Sequence, residues 1–135
     1  VDPTEAISHI TELGVDLPVM IGEFHFGAFD VGPNATGLEG VLTQADRGKA
    51  YRYYCERVAA HPNGVGCHYF QCYDQFCLGR FDGENYNIGL FDICSQPYPD
   101  MMEQVKLCSS EMYLVADGKK EAVKEHAPSI PMIAY

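Results

Sequence analysis

The 135-residue chain contains no tryptophan and only 9 Lys and Arg against 19 Asp and Glu. The first absence removes the largest aromatic stacking platform a protein can offer. The second leaves a net charge of −10, which repels phosphate backbones and anionic membrane surfaces and provides no basic stripe for nucleic acid. Neither nucleic acid nor a membrane is therefore expected as a partner. No apolar run approaches the roughly 20 residues needed to span a bilayer, and no charged-then-apolar leader opens the chain. It begins with Val1 rather than Met, so a processed chain or a piece of a longer one is expected. What is present suits a globular domain: 47% of residues are hydrophobic and no segment is of low complexity.

Six cysteines, at 55, 67, 72, 77, 94 and 108, are an even number. That suits disulfides in an exported protein, and a secreted setting is favoured, although six thiols allow about 15 connectivities. The Cys67, Cys72, Cys77 run lacks the C-x2-C pairs of a structural zinc site. Asp82-x-Glu84 does not continue in the order of a calcium-binding loop. No metal and no cofactor are expected.

Along the chain, Asp2-Pro3-Thr4-Glu5 reads as a helix start, with Asp2 as N-cap, Pro3 at the first helical position and Glu5 reaching back as in a capping box. Ala6, Ile7, Ile10 and Leu13 share one face, and Gly14 supplies a left-handed stop. Residues 18 to 27, "PVMIGEFHFG", have no polar alternation before Glu23, the mark of a strand covered on both faces in a parallel sheet. A helix is predicted over Gln44 to Ala60 with Thr43 as cap, then a strand over Val65 to Tyr73 with Gln71, Asp74 and Gln75 gathered at its end. A long Gly, Asp and Asn-rich loop follows, with a short strand expected over Ile88 to Ile93. A third helix starts near Pro99 and stops at Asp117-Gly118. Residues 119–135 read as a tail that packs on, or extends from, the preceding 118.

Helix, strand, helix, strand, helix is the order of an α/β fold with parallel strands. Two strands cannot close a barrel and leave edges and faces uncovered. A complete (β/α)8 barrel takes about 250 residues, so within such a fold this chain would be its closing part only.

In parallel α/β folds the functional groups sit at the C-terminal ends of strands. Glu23, His25, Gln71, Asp74 and Gln75 are therefore candidates. Period-two geometry places Ile21, Glu23 and His25 on one face and Phe24 and Phe26 on the other. The plainer reading is that Glu23 forms a buried ion pair with Arg47 or Arg80, and spacing does not choose. The loop "GRFDGENYN" brings Arg80, Asp82, Glu84, Asn85 and Tyr86 within seven residues, donors, acceptors and a ring that suit the hydroxyls and apolar faces of a sugar. The same residues also favour turns for local reasons. His9, His61 and His126 read as solvated, and His68 as a core or rim histidine.

Three stretches, "PVMIGEFHFGAFD", "QADRGKAYRYYCERVAAHPNGVGCHYFQCYDQ" and "GRFDGENYNIGLFDICSQPYPDM", resemble the C-terminal part of the barrel of β-agarase-like glycoside hydrolases of family 50. Similarity to the family 42 β-galactosidases of the same clan A is weaker. The resemblance covers about residues 4 to 115. It implies a segment of a TIM barrel, about strands seven and eight with flanking helices, incomplete on its own. It further implies a retaining mechanism on a β-linked galactose-containing polysaccharide or oligosaccharide, with Glu23 as nucleophile at the end of the seventh strand. The eighth strand then adds His68 and Tyr69 to the sugar-binding candidates, Tyr69 standing where the family usually places tryptophan. No segment matches the strand that carries the acid/base carboxylate, so the remainder of the barrel is expected from the same longer polypeptide or another chain. The alternative is a non-catalytic carbohydrate-binding or structural remnant.

Overall fold

The computed structural model describes residues 2–133. Its elements are α1 (Pro3–Glu12), β1 (Val19–Phe24), α2 (Gln44–Ala60), β2 (Gly64–Tyr69) and α3 (Pro99–Ala116). β1 and β2 pair in parallel, and the fold is α/β.

Each helix begins where a local bond or a proline deals with an orphaned amide. The Asp2 carboxylate accepts from Thr4 N at 2.9 Å and Pro3 occupies the first turn. Thr43 Oγ1 accepts from Asp46 N at 3.1 Å, which fixes the start of α2 at Gln44. α3 opens on Pro99 and ends at Asp117, followed by Gly118 at φ +71. α1 packs lightly against α2. That narrow contact buries Ile7 fully and leaves Leu13, expected on the same face, 70% exposed.

The largest interface is α2 against α3, with α2 also covering β2. Phe24, Phe26, Ala28, Val41, Ala50, Cys55 and Cys108 are buried together at the centre. The Phe24 ring stacks on Tyr54 of α2 with centroids 4.2 Å apart, and meets Tyr69 of β2 edge-on at 5.2 Å. Burial of each phenylalanine is worth roughly 1.5–3 kcal/mol, and well-placed ring pairs add about 0.5–1.5 kcal/mol. This cluster therefore fastens the strand ends to the helix layer.

The register between the strands is irregular, and the irregularity decides where Glu23 goes. Ile21 pairs with Cys67, but Phe24 pairs with Tyr69, so three steps along β1 match two along β2. The extra residue is a bulge around Gly22-Glu23, which reverses the alternation. Ile21 packs against the helix-side core, and after the bulge so do Phe24 and Phe26. Ile21 consequently does not share a face with Glu23 and His25 as simple alternation predicts. Those two lie on the side turned away from the helices, with Glu23 exposed.

Both strands are shorter than the sequence pattern suggests. The last ladder bond runs from Phe70 N to Phe24 O at 2.8 Å. Beyond it, the Phe26 carbonyl accepts from side chains, Arg47 Nε at 2.8 Å and the Tyr69 hydroxyl at 3.1 Å. Residues past β2 bond to the later loop instead, Asp74 N to Phe91 O at 2.9 Å and Gln75 N to Tyr86 O at 3.2 Å. The short strand expected over Ile88 to Ile93 reduces to two isolated bridges of Phe91, with Tyr73 and with Pro97, and Gly89 N is taken by the Asp74 carboxylate at 2.8 Å. Nor is β1 covered on both faces within this chain: Met20 is 53% exposed.

The segment after α3 returns across the molecule. Val123 N donates to the buried carboxylate of Glu56 at 2.9 Å, Ile130 N to Gly40 O at 2.8 Å, and Ile133 O accepts from Thr36 N at 2.8 Å. It thereby straps the loop 35–41, which follows β1. Residues 134 and 135 of the expected tail lie outside the described residues.

Candidate functional site

The loop after β2 is tied to the end of β1 by a buried polar hub centred on Arg47, which is fully buried. Its guanidinium donates to Phe26 O at 2.8 Å, Gln44 Oε1 at 2.6 Å, Tyr69 Oη at 3.0 Å, Gly89 O at 2.8 Å and Asn87 Oδ1 at 3.3 Å. Asn87 in turn bonds to Gln44 and to Val31 O. Asp74 accepts from Gly89 N and from the Tyr98 hydroxyl. Burial pushes the Asp74 carboxyl above the ordinary carboxylate range, against the opposing pull of Tyr98, Gly89 and Arg47. Asp74 and Arg47 thus form the scaffold beneath the loops. The hub was not legible as such, since nothing in the spacing of α2 marks Arg47 as buried.

Above this scaffold, Glu23, His25, Leu38, Phe70, Arg80, Glu84 and Tyr86 line a cleft of about 320 Å³. A second cleft of about 210 Å³ adjoins it, sharing Glu23, His25 and Leu38 and adding Glu39 and Tyr54. Five residues singled out from sequence, Glu23, His25, Arg80, Glu84 and Tyr86, therefore converge. Among the described residues, neither Arg47 nor Arg80 pairs with Glu23. Arg80 is engaged by Asp82, with Nε at 3.2 Å, and by Glu84 at 3.0 Å. The carboxylate of Glu23 is left facing the cleft, free of the ion pair that the plainer reading required.

Gln75 holds the loop in place through both ends of its amide. It accepts from Tyr86 N at 2.8 Å and donates to Glu84 Oε2 at 2.9 Å. Tyr69 points elsewhere: its ring is packed with Phe24 and Tyr51 and its hydroxyl is committed to Phe26 and Arg47. His68 is exposed on β2, Gln71 is half-buried just past it, and Asp82 is exposed at the turn. Asn85 lies on the other side of the loop, in a separate cavity of about 460 Å³ with Asn34, Asp74 and Asp92. Leu38, Glu39, Tyr54 and Phe70 are cleft residues that sequence reasoning did not select. Only the long-range path of the loop 35–41 brings the first two there.

Among the described residues no group of three or more His, Cys, Asp or Glu is arranged to hold a metal ion, and no helix is long and apolar enough to cross a membrane. The six cysteines are thiols, with Cys55 Sγ and Cys67 Sγ 3.6 Å apart in the core. That contact lowers the Cys67 thiol against the opposing effect of burial.

An α/β segment with a carboxylate at the end of a parallel strand is the architecture of many sugar-cleaving enzymes, and comparison with known proteins narrows the class. No family model matches the chain. It is 40% identical over 109 residues to β-agarase B of Vibrio sp. (strain JT0107) and 42% identical over 110 residues to β-agarase A of the same strain. Those matches take in 80% and 81% of the chain, yet the chain spans only 11% of the length of either relative. Among solved structures it superposes on an exo-β-agarase with a TM-score of 0.77 at 40% identity, over 84% of this chain and 16% of that one. On the agarase AgWH50C the TM-score is 0.76 at 42% identity, over 83% and 17% of the two chains. The chain is a β-agarase-like segment, similar to one part of the family 50 agarases.

Proposed function

We propose that this chain is the nucleophile-bearing part of a retaining glycoside hydrolase acting on β-linked galactose-containing polysaccharide, with Glu23 as the nucleophile. The observation that carries the reading is the bulge before Phe24. It turns Glu23 away from the helix layer and into the cleft with His25, Arg80, Glu84 and Tyr86. Bulges beside active sites commonly re-aim a side chain in this way.

The finer fold reading is that β1 and β2 are the seventh and eighth strands of a (β/α)8 barrel, with 1–118 its closing part and 119–135 a tail packing on or extending from it. Supporting it are the open edges of the two-stranded sheet, the exposed Met20 on its far face, and an apolar groove of about 870 Å³ along α3 lined by Phe91, Pro97, Pro99, Met102 and Leu107. Further strands and a neighbouring helix, from the same polypeptide or another chain, would cover all three.

In the reaction, Glu23 attacks the anomeric carbon and forms a covalent glycosyl ester while a second carboxylate, about 5–5.5 Å away, protonates the departing oxygen. The same group then takes a proton from water, which displaces Glu23 and restores the original anomeric configuration. That second carboxylate is assigned to the remainder of the barrel. Arg80, Glu84, Tyr86 and His25 would contact sugar hydroxyls, and Asp82, Gln75, Asp74 and Asn85 would shape the loop that presents them.

A second reading, a remnant that binds carbohydrate or serves structure without cleaving, draws on Glu84. This other cleft carboxylate shares Oε2 between Arg80 and Gln75 and so is committed to the loop. Glu23→Gln in the whole protein that contains this segment separates the two. The hydrolase reading expects turnover of an agarose oligosaccharide to fall by at least about 10³-fold with binding nearly intact, since an amide is isosteric but not nucleophilic. Unchanged turnover overturns it.

A further inference from the structure

We infer that His25 is a ligand-binding residue fixed in a single tautomer, whose Nε2 anchors the loop 35–41 and whose Nδ1–H is offered to a hydroxyl of a sugar bound beside Glu23. The sugar as ligand rests on the function proposed above; the tautomer rests on geometry alone.

Leu38 N lies 2.9 Å from His25 Nε2. A backbone N–H can only donate, so Nε2 must hold its lone pair towards Leu38, and the ring proton resides on Nδ1. The ring has little freedom to exchange the two nitrogens. Its centroid sits 6.4 Å from Phe70 and 6.2 Å from Tyr86. Gly37, at φ +68, approaches so closely that a Cβ there would be 2.5 Å from Nε2. Among the described residues Nδ1 has no hydrogen-bond partner, yet His25 is only 7% exposed and lines both clefts that Glu23 lines.

A ring N–H that no protein group accepts from, on a residue lining the cleft, is open to an acceptor that a ligand supplies. The charged groups facing the ring are Glu23 on its own segment, Arg80 and Glu84 from the loop after β2, Glu39 from the loop 35–41, and Arg47 from α2. Burial keeps the imidazole below its ordinary value, opposed by Glu23 and Glu84 and assisted by Arg47. A neutral donor of this kind suits a hydroxyl oxygen and rejects an ammonium. It also removes His25 as a substitute for the missing acid/base, because a proton added at Nε2 would break the bond to Leu38.

Two variants divide the roles of the ring. In His25→Gln the amide oxygen can reach the Nε2 position and keep Leu38 N satisfied, but the Nδ1 donor is lost. In His25→Asn the amide nitrogen stands near Nδ1 and the Leu38 bond is lost. In the Glu23→Gln background, to prevent turnover, His25→Gln is expected to weaken binding of an agarose oligosaccharide by roughly tenfold to a hundredfold, with slow hydrogen exchange at the Leu38 amide retained. His25→Asn is expected to bind more tightly than His25→Gln while that amide exchanges faster. Binding by His25→Gln equal to the parent overturns the ligand role.

Nitrogen NMR of the histidine ring in the unsubstituted protein requires no variant to fold. It is expected to report a protonated Nδ1 and bare Nε2 from about pH 5 to 8, the range in which ordinary histidines titrate. A protonated Nε2 overturns the inference whatever the binding data. If the tautomer is as stated but the parent does not bind the oligosaccharide, the agarase reading falls and the sugar assignment with it.

Discussion

Arg47 Nε donates to the carbonyl of Phe26 at 2.8 Å, so a fully buried cation from α2 takes over at the point where strand pairing of β1 has ceased. The same guanidinium reaches Gly89 O at 2.8 Å on the loop that follows β2. One side chain therefore sets the distance between the segment bearing His25 and the loop bearing Glu84 and Tyr86.

Arg47→Met should consequently be among the more damaging single changes in the chain. It leaves the carbonyl of Gly89 without its donor, at roughly 1–3 kcal/mol for the orphaned group, and the carbonyl of Phe26 with the Tyr69 hydroxyl alone. Chemical denaturation of the whole protein should register a loss of that size with little change in slope. A midpoint equal to the parent's would remove Arg47 from its central place.

Gly37→Ala tests the close approach beneath the cleft. The substitution demands a left-handed residue at φ +68 and sets a Cβ against His25 Nε2. The backbone cost alone is about 1–2 kcal/mol, and the ring must shift as well. Reduced stability together with weaker oligosaccharide binding is expected, measured by thermal unfolding and calorimetry. Unaltered binding in a folded variant would show that the ring position does not govern the cleft.

Acid stability should carry a signature of α1. Burial acts to raise the Asp2 carboxyl, but its bonds with Arg57 and Thr4 outweigh that and bring it down from 3.8 to about 2. A carboxyl that is more acidic folded than unfolded stabilises the fold while ionised. Its contribution is full above pH 3.8 and is lost as the pH falls through about 2. Asp2→Asn should therefore flatten the stability curve over that interval, while Arg57→Gln should remove most of the same dependence. Parallel curves for parent and variants would contradict the assignment.

The parts of this architecture written in local chemistry could be read from the sequence. Thr43 caps α2 at its expected residue because a hydroxyl and an amide three residues apart settle the matter between themselves. Gly14 at φ +90 and Gly118 at φ +71 close their helices for an equally local reason. Glu23 and His25 were legible as candidates because they follow the apolar stem of a strand, and Arg80, Glu84 and Tyr86 because one short loop brings donors, acceptors and a ring together. What escaped was set at long range. The bulge that separates Ile21 from Glu23 exists only against the register of β2, and alternation within one strand cannot reveal it. The Ile88 to Ile93 segment has strand-forming residues, but Asp74 takes the amide of Gly89 that a ladder would need. Tyr69 reads as a ring available to ligand until Arg47 and Phe26 O claim its hydroxyl.

The proposal for Glu23 is tested most directly by trapping the glycosyl ester. A 2-deoxy-2-fluoro galactoside with a good leaving group slows the second step more than the first in a retaining enzyme, so the covalent intermediate accumulates. Digestion of the inactivated whole protein and mass spectrometry should find the added fluorosugar on the peptide containing Glu23, with no label in Glu23→Gln. A label on any other carboxylate, or hydrolysis that releases product of inverted configuration, would contradict the assignment of Glu23 as the nucleophile.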